Sequence, residues 1–219
     1  MSRWPVIKRV SMQLQRWFNE EADQEARTDV DLDRIDWLRI VPFLALHLGC
    51  LLVFWVGWSP VAMASAFLLY AVRMLAITGT YHRYFAHRTY KMSRAWQFFF
   101  AVLACTSAQK GPLWWASHHR HHHRFADSPE DAHSPVQRGF WYSHMLWVLT
   151  PRFFATKKQL VKNWLKYPEL AWLNRHAVLP PLGLLFLLGA LGALLQRYVP
   201  SAGTSAWQMM IWGFCISTV

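Results

Sequence analysis

The chain has 219 residues, of which 54% are hydrophobic, and a formal net charge of +11 at pH 7. That charge would suit nucleic-acid binding, but 21 of the 23 lysines and arginines lie in residues 1–39 and 82–175, which border long apolar blocks. Anionic lipid head groups are the ordinary partners of basic residues in such positions, so we exclude a nucleic-acid partner. The composition predicts an all-α membrane protein.

Residues 1–39 are interpreted as a cytoplasmic N-terminal arm. The first half of this arm fits a short amphipathic helix at the membrane interface, and a solvated tail fits it almost equally well. The second half, residues 20–36, holds 8 of the 12 acidic residues of the chain.

Three apolar blocks, residues 40–58, 60–81 and 177–195, are long enough to cross a hydrocarbon core of roughly 30 Å as helices. A fourth block, residues 207–219, resembles the start of a further span. Residues 96–107 are too few to cross, and we interpret them as a buried or re-entrant helix.

The basic residues predict the orientation in the membrane. The turn around Ser59 between the first two blocks has no lysine or arginine, so these blocks form a transmembrane helical hairpin with both basic segments on one side. The positive-inside rule makes that side cytoplasmic, and in a bacterial cell the membrane would be the inner one. Arg73 lies inside the second block, and a charge there is costly. We expect Arg73 to face the other spans and to order the base of a metal site formed by the histidines that follow this block. Snorkelling of its side chain to the interface is equally compatible with the sequence.

Two groups of histidines follow the second block. The stretch "HRYFAH" separates His82 from His87 by five positions, which cannot share one face of a straight α-helix. Both can point at one site if the chain turns where the helix ends. In "HHRHHH", His119, His122 and His123 have the spacing i, i+3, i+4 of a single helical face. Imidazole suits iron, zinc, copper and nickel, so a metal site in the cytoplasmic region is predicted.

Other interpretations of these histidines are weaker. A solvated basic loop would explain an isolated pair better than it explains five histidines in two spacings. A metal-transporting or metal-binding membrane protein would place polar ligands within its spans, where the first block has only His47. Glu130 and His133 read as the ExxH motif of soluble di-iron proteins, but that site needs two such motifs, so chance explains it better. The acidic candidates for orienting the imidazoles are Asp127, Glu130 and Asp131.

The stretches "HRYFAHRTYK" and "QKGPLWWASHHRHHHRFADSPEDAHSPVQRGFWYSHMLW" closely resemble the membrane-bound acyl-CoA (delta-9, stearoyl-type) fatty acid desaturases in their bacterial form. The resemblance covers the chain from about residue 40 to its end. Membrane di-iron hydroxylases and alkane monooxygenases share the histidine boxes, and the segments "DAHS" and "RGFWYSHMLW" favour the desaturase branch. The resemblance implies two non-haem iron ions ligated by the box histidines: His82, His87, His119, His122 and His123.

The resemblance also implies an activity and its partners. It implies that a cis double bond, expected at delta-9, is introduced into a saturated acyl-CoA or acyl-lipid with the use of O2. Electrons would come from an external carrier, ferredoxin or a cytochrome b5-like protein, since no flavin, haem or iron–sulfur motif is present. Gln109 and Trp115 are expected to line the acyl channel, with interfacial packing as the alternative. Lys110, Arg120 and Arg124 are candidate partners for CoA phosphates, with a solvated face or lipid contact as the alternative.

One departure from the family pattern concerns the C-terminus. The family has a third box, HNxHH, and a further Asn and His, none of which occurs before Val219. We therefore interpret residues 40–219 as a desaturase domain that is incomplete at its C-terminus. A chain of these 219 residues is expected to bind iron weakly and to be inactive alone.

Overall fold

The computed structural model describes residues 18–19, 35–37 and 40–219, so the predicted N-terminal arm lies almost entirely outside the described residues. Every regular element in the described ranges is helical, as predicted. The α-helices are α1 (Val41–Cys50), α2 (Val53–Val56), α3 (Pro60–Ala76), α4 (Arg94–Cys105), α5 (Pro112–Arg124), α6 (Pro135–Arg138), α7 (Phe140–His144), α8 (Lys162–Leu165), α9 (Pro168–Arg175), α10 (Leu179–Tyr198) and α11 (Ala206–Met210). A π-helical segment, Ile77–Ala86, continues α3, and a second one, Ile211–Ile216, continues α11.

Two helices among the described residues are long and apolar enough to cross a membrane: the 27-residue helix Pro60–Ala86 and the 20-residue helix α10. This finding rests on length and composition. The second block thus extends five residues beyond the predicted end at Tyr81. The first apolar block forms a shorter apolar helix over Val41–Val56, with α1 and α2 as its two parts, so a span over residues 40–58 stays a prediction. Between them, Leu51 and Leu52 donate their backbone N–H groups to carbonyls only three residues back, which tightens the chain into a turn.

The start of α3 is fixed by a side chain and a distant loop. The Ser59 hydroxyl accepts a hydrogen bond from the Ala62 N–H at 3.1 Å and donates one to the Thr204 hydroxyl at 3.0 Å. A serine before the first turn and Pro60 at the first helical position are both favourable there. The turn between the first two apolar blocks is therefore joined to the loop that precedes α11.

Helices α10 and α11 pack closely at a glycine. A Cβ atom at Gly192 would lie 2.6 Å from the carbonyl oxygen of Ser205 and 2.7 Å from the Cα of Ala206. These are backbone atoms, so no side-chain movement could make room. Only glycine permits this approach of the two helices.

The largest hydrophobic core lies where the long helix ends and α4, α5 and α9 meet. Tyr81, Phe85, Leu113, Leu170 and Leu173 are almost completely buried in it. Helix α4 adds Ala101 and Ala104 to this core, while Trp96 and Phe99 on its other side are exposed. Helix α4 is half-buried and too short to cross a membrane, as predicted.

Candidate metal centre

The first histidine box lies in the π-helical segment. In a π-helix, each N–H bonds to the carbonyl five residues before it, so residues five apart lie on the same side of the helix. The N–H of His87 donates to the carbonyl of His82 at 3.0 Å, and the Nε2 atoms of the two rings are 3.1 Å apart. A wider helix therefore brings the two histidines together, where the sequence predicted a turn of the chain.

Side-chain hydroxyls hydrogen-bond to carbonyls in the region where the α-helix changes to a π-helix. The Thr78 hydroxyl donates to the carbonyl of Met74 at 2.8 Å, and the Tyr90 hydroxyl donates to the carbonyl of Gly79 at 2.8 Å. Such bonds compete with regular helix hydrogen bonding and help a helix to change its winding.

The second box lies on α5, whose first turn is capped by another helix. The Asn174 side chain, buried on α9, accepts a hydrogen bond from the Trp114 N–H at 2.8 Å, which is one of the free donors of a helix start. A Cβ atom at Gly111 would lie only 2.5 Å from the Cα of Asn174. Glycine at this position lets the cap approach, and the cap fixes where the histidine-bearing helix begins.

Four box histidines converge from the two helices. The Nε2 atom of His119 lies 3.2 Å from that of His87 and 3.0 Å from that of His123. One nitrogen from each of His82, His87, His119 and His123 lies within 4.8 Å of the others, and we call this group the four-histidine cluster. Four nitrogen donors at this separation fit a transition-metal ion, and the donor type suits iron as well as zinc, copper or nickel.

The protonation of the four-histidine cluster favours metal binding. Burial, together with the neighbouring imidazoles, lowers the pKa of His119 to about 3. Burial and the nearby His82, His123 and Arg120 also hold the pKa of His87 below its usual value. Both rings are therefore neutral at pH 7, the state in which imidazole ligates a metal.

His122 lies outside the four-histidine cluster and has a different partner. Its Nδ1 is 2.9 Å and 3.0 Å from the two carboxylate oxygens of Asp131, which also accept the N–H groups of Asp127 and His133. Burial alone would raise the pKa of Asp131, but these hydrogen bonds outweigh it and hold the pKa below its ordinary value. Of the three predicted acidic residues, Asp131 is the one that contacts a box histidine, while Glu130 bonds to Ser128.

A cavity of about 790 Å³ lies beside the histidines. The Trp115 ring stacks on the His119 ring with 4.7 Å between centroids, and its Nε1 donates to the Oε1 of Gln109 at 3.3 Å. Both predicted channel residues thus line the cavity next to a cluster histidine. The cavity also has an apolar wall contributed by the starts of α1 and α10: Pro42, Phe43, Leu46, Val178 and Pro181.

The three predicted phosphate-binding residues occupy different environments. Lys110 lines the cavity, with its Nζ 5.0 Å from the ring of Trp114 and 5.1 Å from the ring of Phe154. Arg124 is exposed at the end of α5. Arg120 is half-buried and donates four hydrogen bonds to protein acceptors. Phosphate binding by any of them stays a prediction.

Arg73 is buried and faces other helices, as predicted. Its guanidinium donates to the Thr106 carbonyl at 3.2 Å, to the Thr218 hydroxyl at 2.7 Å and to the Ser217 hydroxyl. The alternative of snorkelling to the interface is wrong for a side chain that is 3% exposed.

Sequence reasoning missed two contributions to the site. It did not find Asn174, for which no local signal exists because its partner lies 60 positions away. It also did not place His118 in the interior, where this side chain is buried against Trp114 and hydrogen-bonds to the Ala155 carbonyl at 3.0 Å. The π-helix did have a signal, since a spacing of five is the π-helical repeat.

Comparison with known proteins points to one family. The model of the fatty acid desaturase family matches residues 57–219. The chain is 34% identical to delta-9 acyl-lipid desaturase 2 of Arabidopsis thaliana over 74% of this chain and 53% of that protein. It is 31% identical to acyl-CoA 5-desaturase AL21 of Anemone leveillei over 84% of this chain and 54% of that protein. A third relative, delta(9)-fatty-acid desaturase fat-5 of Caenorhabditis elegans, is 33% identical over 64% of this chain and 42% of its own length. The chain spans about half the length of these curated relatives. Because the family model covers most of the chain, the chain belongs to the fatty acid desaturase family.

Proposed function

We propose that this protein is an oxygen-dependent fatty acyl desaturase that introduces a cis double bond, at delta-9, into a saturated acyl chain. The observation that carries the proposal is the four-histidine cluster beside a cavity with an apolar wall. Family membership supports the reaction class, and two of the three relatives described carry delta-9 in their names.

The proposed cofactor is a pair of non-haem iron ions. One would be held by the four-histidine cluster. His122 would serve the other through Nε2, because its Nδ1 is committed to Asp131. When bound, the iron pair supplies the oxidising chemistry that an unactivated methylene C–H bond requires.

The residues of this chain bind and orient the substrate. The apolar wall of the cavity takes the acyl chain and excludes water from it. Trp115 lies against His119, so a methylene packed on the indole would be held beside the four-histidine cluster. Gln109 fixes the indole through its hydrogen bond. Lys110, at the aromatic side of the cavity, would meet the polar head of an acyl-CoA or acyl-lipid.

Electrons would arrive from an external carrier, ferredoxin or a cytochrome b5-like protein. Arg88 and Lys91 follow the first box and are exposed, as is Arg124 at the end of the second box. A basic rim at the histidines would steer an acidic carrier to this side of the protein. We propose that this side is cytoplasmic and that the apolar helices cross the membrane in several passes.

The test is expression of the complete gene product in cells rich in saturated lipid, with iron analysis of the purified protein and fatty acid profiling. The proposal expects bound iron and new monounsaturated chains. His87→Ala should abolish both, while His121→Ala, on the same helix as the second box, should leave both in place. Hydroxylated products would indicate a membrane hydroxylase, and bound metal without any altered lipid would indicate a metal-binding protein.

A further inference from the structure

Arg120 lies on α5 between His119 and His121, but its hydrogen bonds reach the other box. Its Nε donates to the carbonyl of Ala86 at 2.9 Å, and one terminal nitrogen donates to the carbonyl of Phe85 at 2.7 Å. These two residues end the π-helical segment, and the next residue in the chain is His87.

The carbonyls of Phe85 and Ala86 need donors from outside the helix. The last carbonyls of any helix lack partners within it, and they form the negative end of the helix dipole. The backbone N–H groups of residues 87–89 bond to the carbonyls of His82, Tyr84 and Arg83. Side chains serve the end of the helix instead: Arg120 bonds to both carbonyls, and the Trp164 Nε1 also donates to Phe85 at 2.8 Å.

The same guanidinium fixes a third segment. Its other terminal nitrogen donates to the Leu160 carbonyl at 2.6 Å and to the Asn163 Oδ1 at 2.8 Å. One rigid planar group therefore joins the end of the first-box helix, the second-box helix and residues 160–163. A lysine has the charge but not the fork geometry that serves several acceptors at once.

The positive charge of Arg120, taken alone, would weaken metal binding by the nearby His87. A guanidinium bonded to the residue before His87 repels a metal ion held by that histidine. Its contribution to the site must therefore come from geometry, with the carbonyl dipoles at the helix end partly offsetting its charge.

We propose that Arg120 is a positioning residue that fixes the separation of the two histidine boxes. It holds His87 at the distance from His119 that lets both ligate one metal. The proposal rests on the metal centre of the proposed function. It predicts that metal affinity depends on the shape of this side chain as well as on its charge.

The experiment compares Arg120→Lys and Arg120→Gln with Arg124→Gln, an exposed arginine one turn further along α5. Cobalt(II) is titrated into each metal-free protein in detergent, with its visible absorption as the measure of ligation. Both Arg120 variants should bind cobalt roughly 10–100-fold more weakly, the usual effect of losing an outer-shell partner, with altered spectra. Arg124→Gln should match the wild type in cobalt affinity and in the cobalt spectrum.

A metal-independent measurement separates this proposal from the proposed function. Hydrogen–deuterium exchange of residues 84–90 in the metal-free proteins should be faster in both Arg120 variants and unchanged in Arg124→Gln. Wild-type protein that binds neither cobalt nor iron would refute the metal centre, and the exchange data would still decide the positioning role.

Two results would overturn the proposal. One is wild-type cobalt affinity and wild-type exchange in Arg120→Lys, since this shows that the charge suffices. The other is a rise in KM for acyl-CoA with unchanged metal binding, which would assign Arg120 to the head group. If Arg120→Gln does not fold, Asn163→Ala removes one acceptor only, and a weakening of cobalt binding by less than in Arg120→Lys is expected.

Discussion

The two histidine boxes supply the same cluster from helices of different winding. In the first box, His82 and His87 are five residues apart and share a face because the helix is a π-helix. In the second box, His119 and His123 are four residues apart and share a face because α5 is an ordinary α-helix. The spacing of each pair is thus the hydrogen-bond repeat of the helix that carries it.

The helices also differ in how they are held. The first-box helix is fixed at its base by Arg73 and at its end by Arg120. The second-box helix is fixed at its start by Asn174. The first box therefore depends on two arginines that reach across helices, while the second depends on a cap and a close backbone approach.

The largest effect is expected where the two boxes meet. His119→Ala removes the ring that lies within 3.2 Å of one histidine from each box. Loss of a ligand should weaken metal binding at the cluster by more than the roughly 10–100-fold seen for outer partners. Isothermal titration with cobalt(II) measures this, with His121→Ala as the control. Unchanged affinity would remove His119 from the site.

Loss of the Arg73 hydrogen bonds at the base of the first-box helix is expected to have the next largest effect. Arg73→Leu leaves the Thr106 carbonyl and two hydroxyls without their donor, at a cost of about 1–3 kcal/mol for each buried group. Thermal unfolding in detergent should show a lower midpoint, and desaturation should fall sharply. Arg197→Leu changes the exposed arginine of α10 and should affect neither. Full activity of Arg73→Leu at normal expression would contradict the prediction.

The start of the second box can be broken without touching a histidine. Gly111→Ala places a methyl group 2.5 Å from the Cα of Asn174, and overpacking of this kind costs about 1–3 kcal/mol. Gly183→Ala, in α10, has no atom within 4 Å of the new methyl group and should be neutral or stabilising. Equal melting temperatures for the two variants would show that α9 can move away from α5.

The separate role of His122 can be tested by changing Asp131, whose carboxylate bonds to its Nδ1. Asp131→Asn keeps the shape but weakens the acceptor for Nδ1, and should lower metal affinity roughly 10–100-fold at the proposed second iron site, which His122 would serve. The cobalt spectrum of the four-histidine cluster should not change. The control is Glu130→Gln, which alters the exposed carboxylate next to Asp131 in the chain. A loss at both metals would show that the two sites are coupled.

At neutral pH the smallest effect is expected at His118, whose contribution to stability depends on pH. Burial lowers the pKa of His118 to about 3, while an unfolded histidine titrates near 6.5. The unfolded chain therefore binds the proton first, and stability is lost as the pH falls from about 6.5 towards 3. His118→Gln keeps a donor for the Ala155 carbonyl and does not titrate. The slope of stability against pH between 6 and 4, in metal-free protein, should fall by up to about 1.4 kcal/mol per pH unit. An unchanged slope would mean that His118 is charged in the folded protein.

The sequence predicted the helical class from local patterns, and it offered the residues of the four-histidine cluster as ligands because each box has its own spacing and the family resemblance joins the two boxes. It did not predict the turn at Leu51 and Leu52 within the first apolar block, since hydropathy does not register a local change in hydrogen bonding. It could not predict that His122 would turn to Asp131 while its neighbour His123 joins the cluster, because three positions on one helical arc are compatible with either arrangement. The contacts of Arg120 and Asn174 join residues tens of positions apart and depend on the packing of the whole domain.

The pairing of Arg73 also sets an order of assembly. Its hydroxyl partner Ser217 lies 144 positions later in the chain. At a synthesis rate of about 5–20 residues per second, the ribosome makes that partner roughly 7–30 seconds after the arginine. During that interval the guanidinium in the apolar length of the second helix lacks its hydroxyl partners, which disfavours settling in lipid alone. The second helix would therefore gain its full set of hydrogen bonds only when residues 217 and 218 emerge, which would make this pairing a late step of assembly.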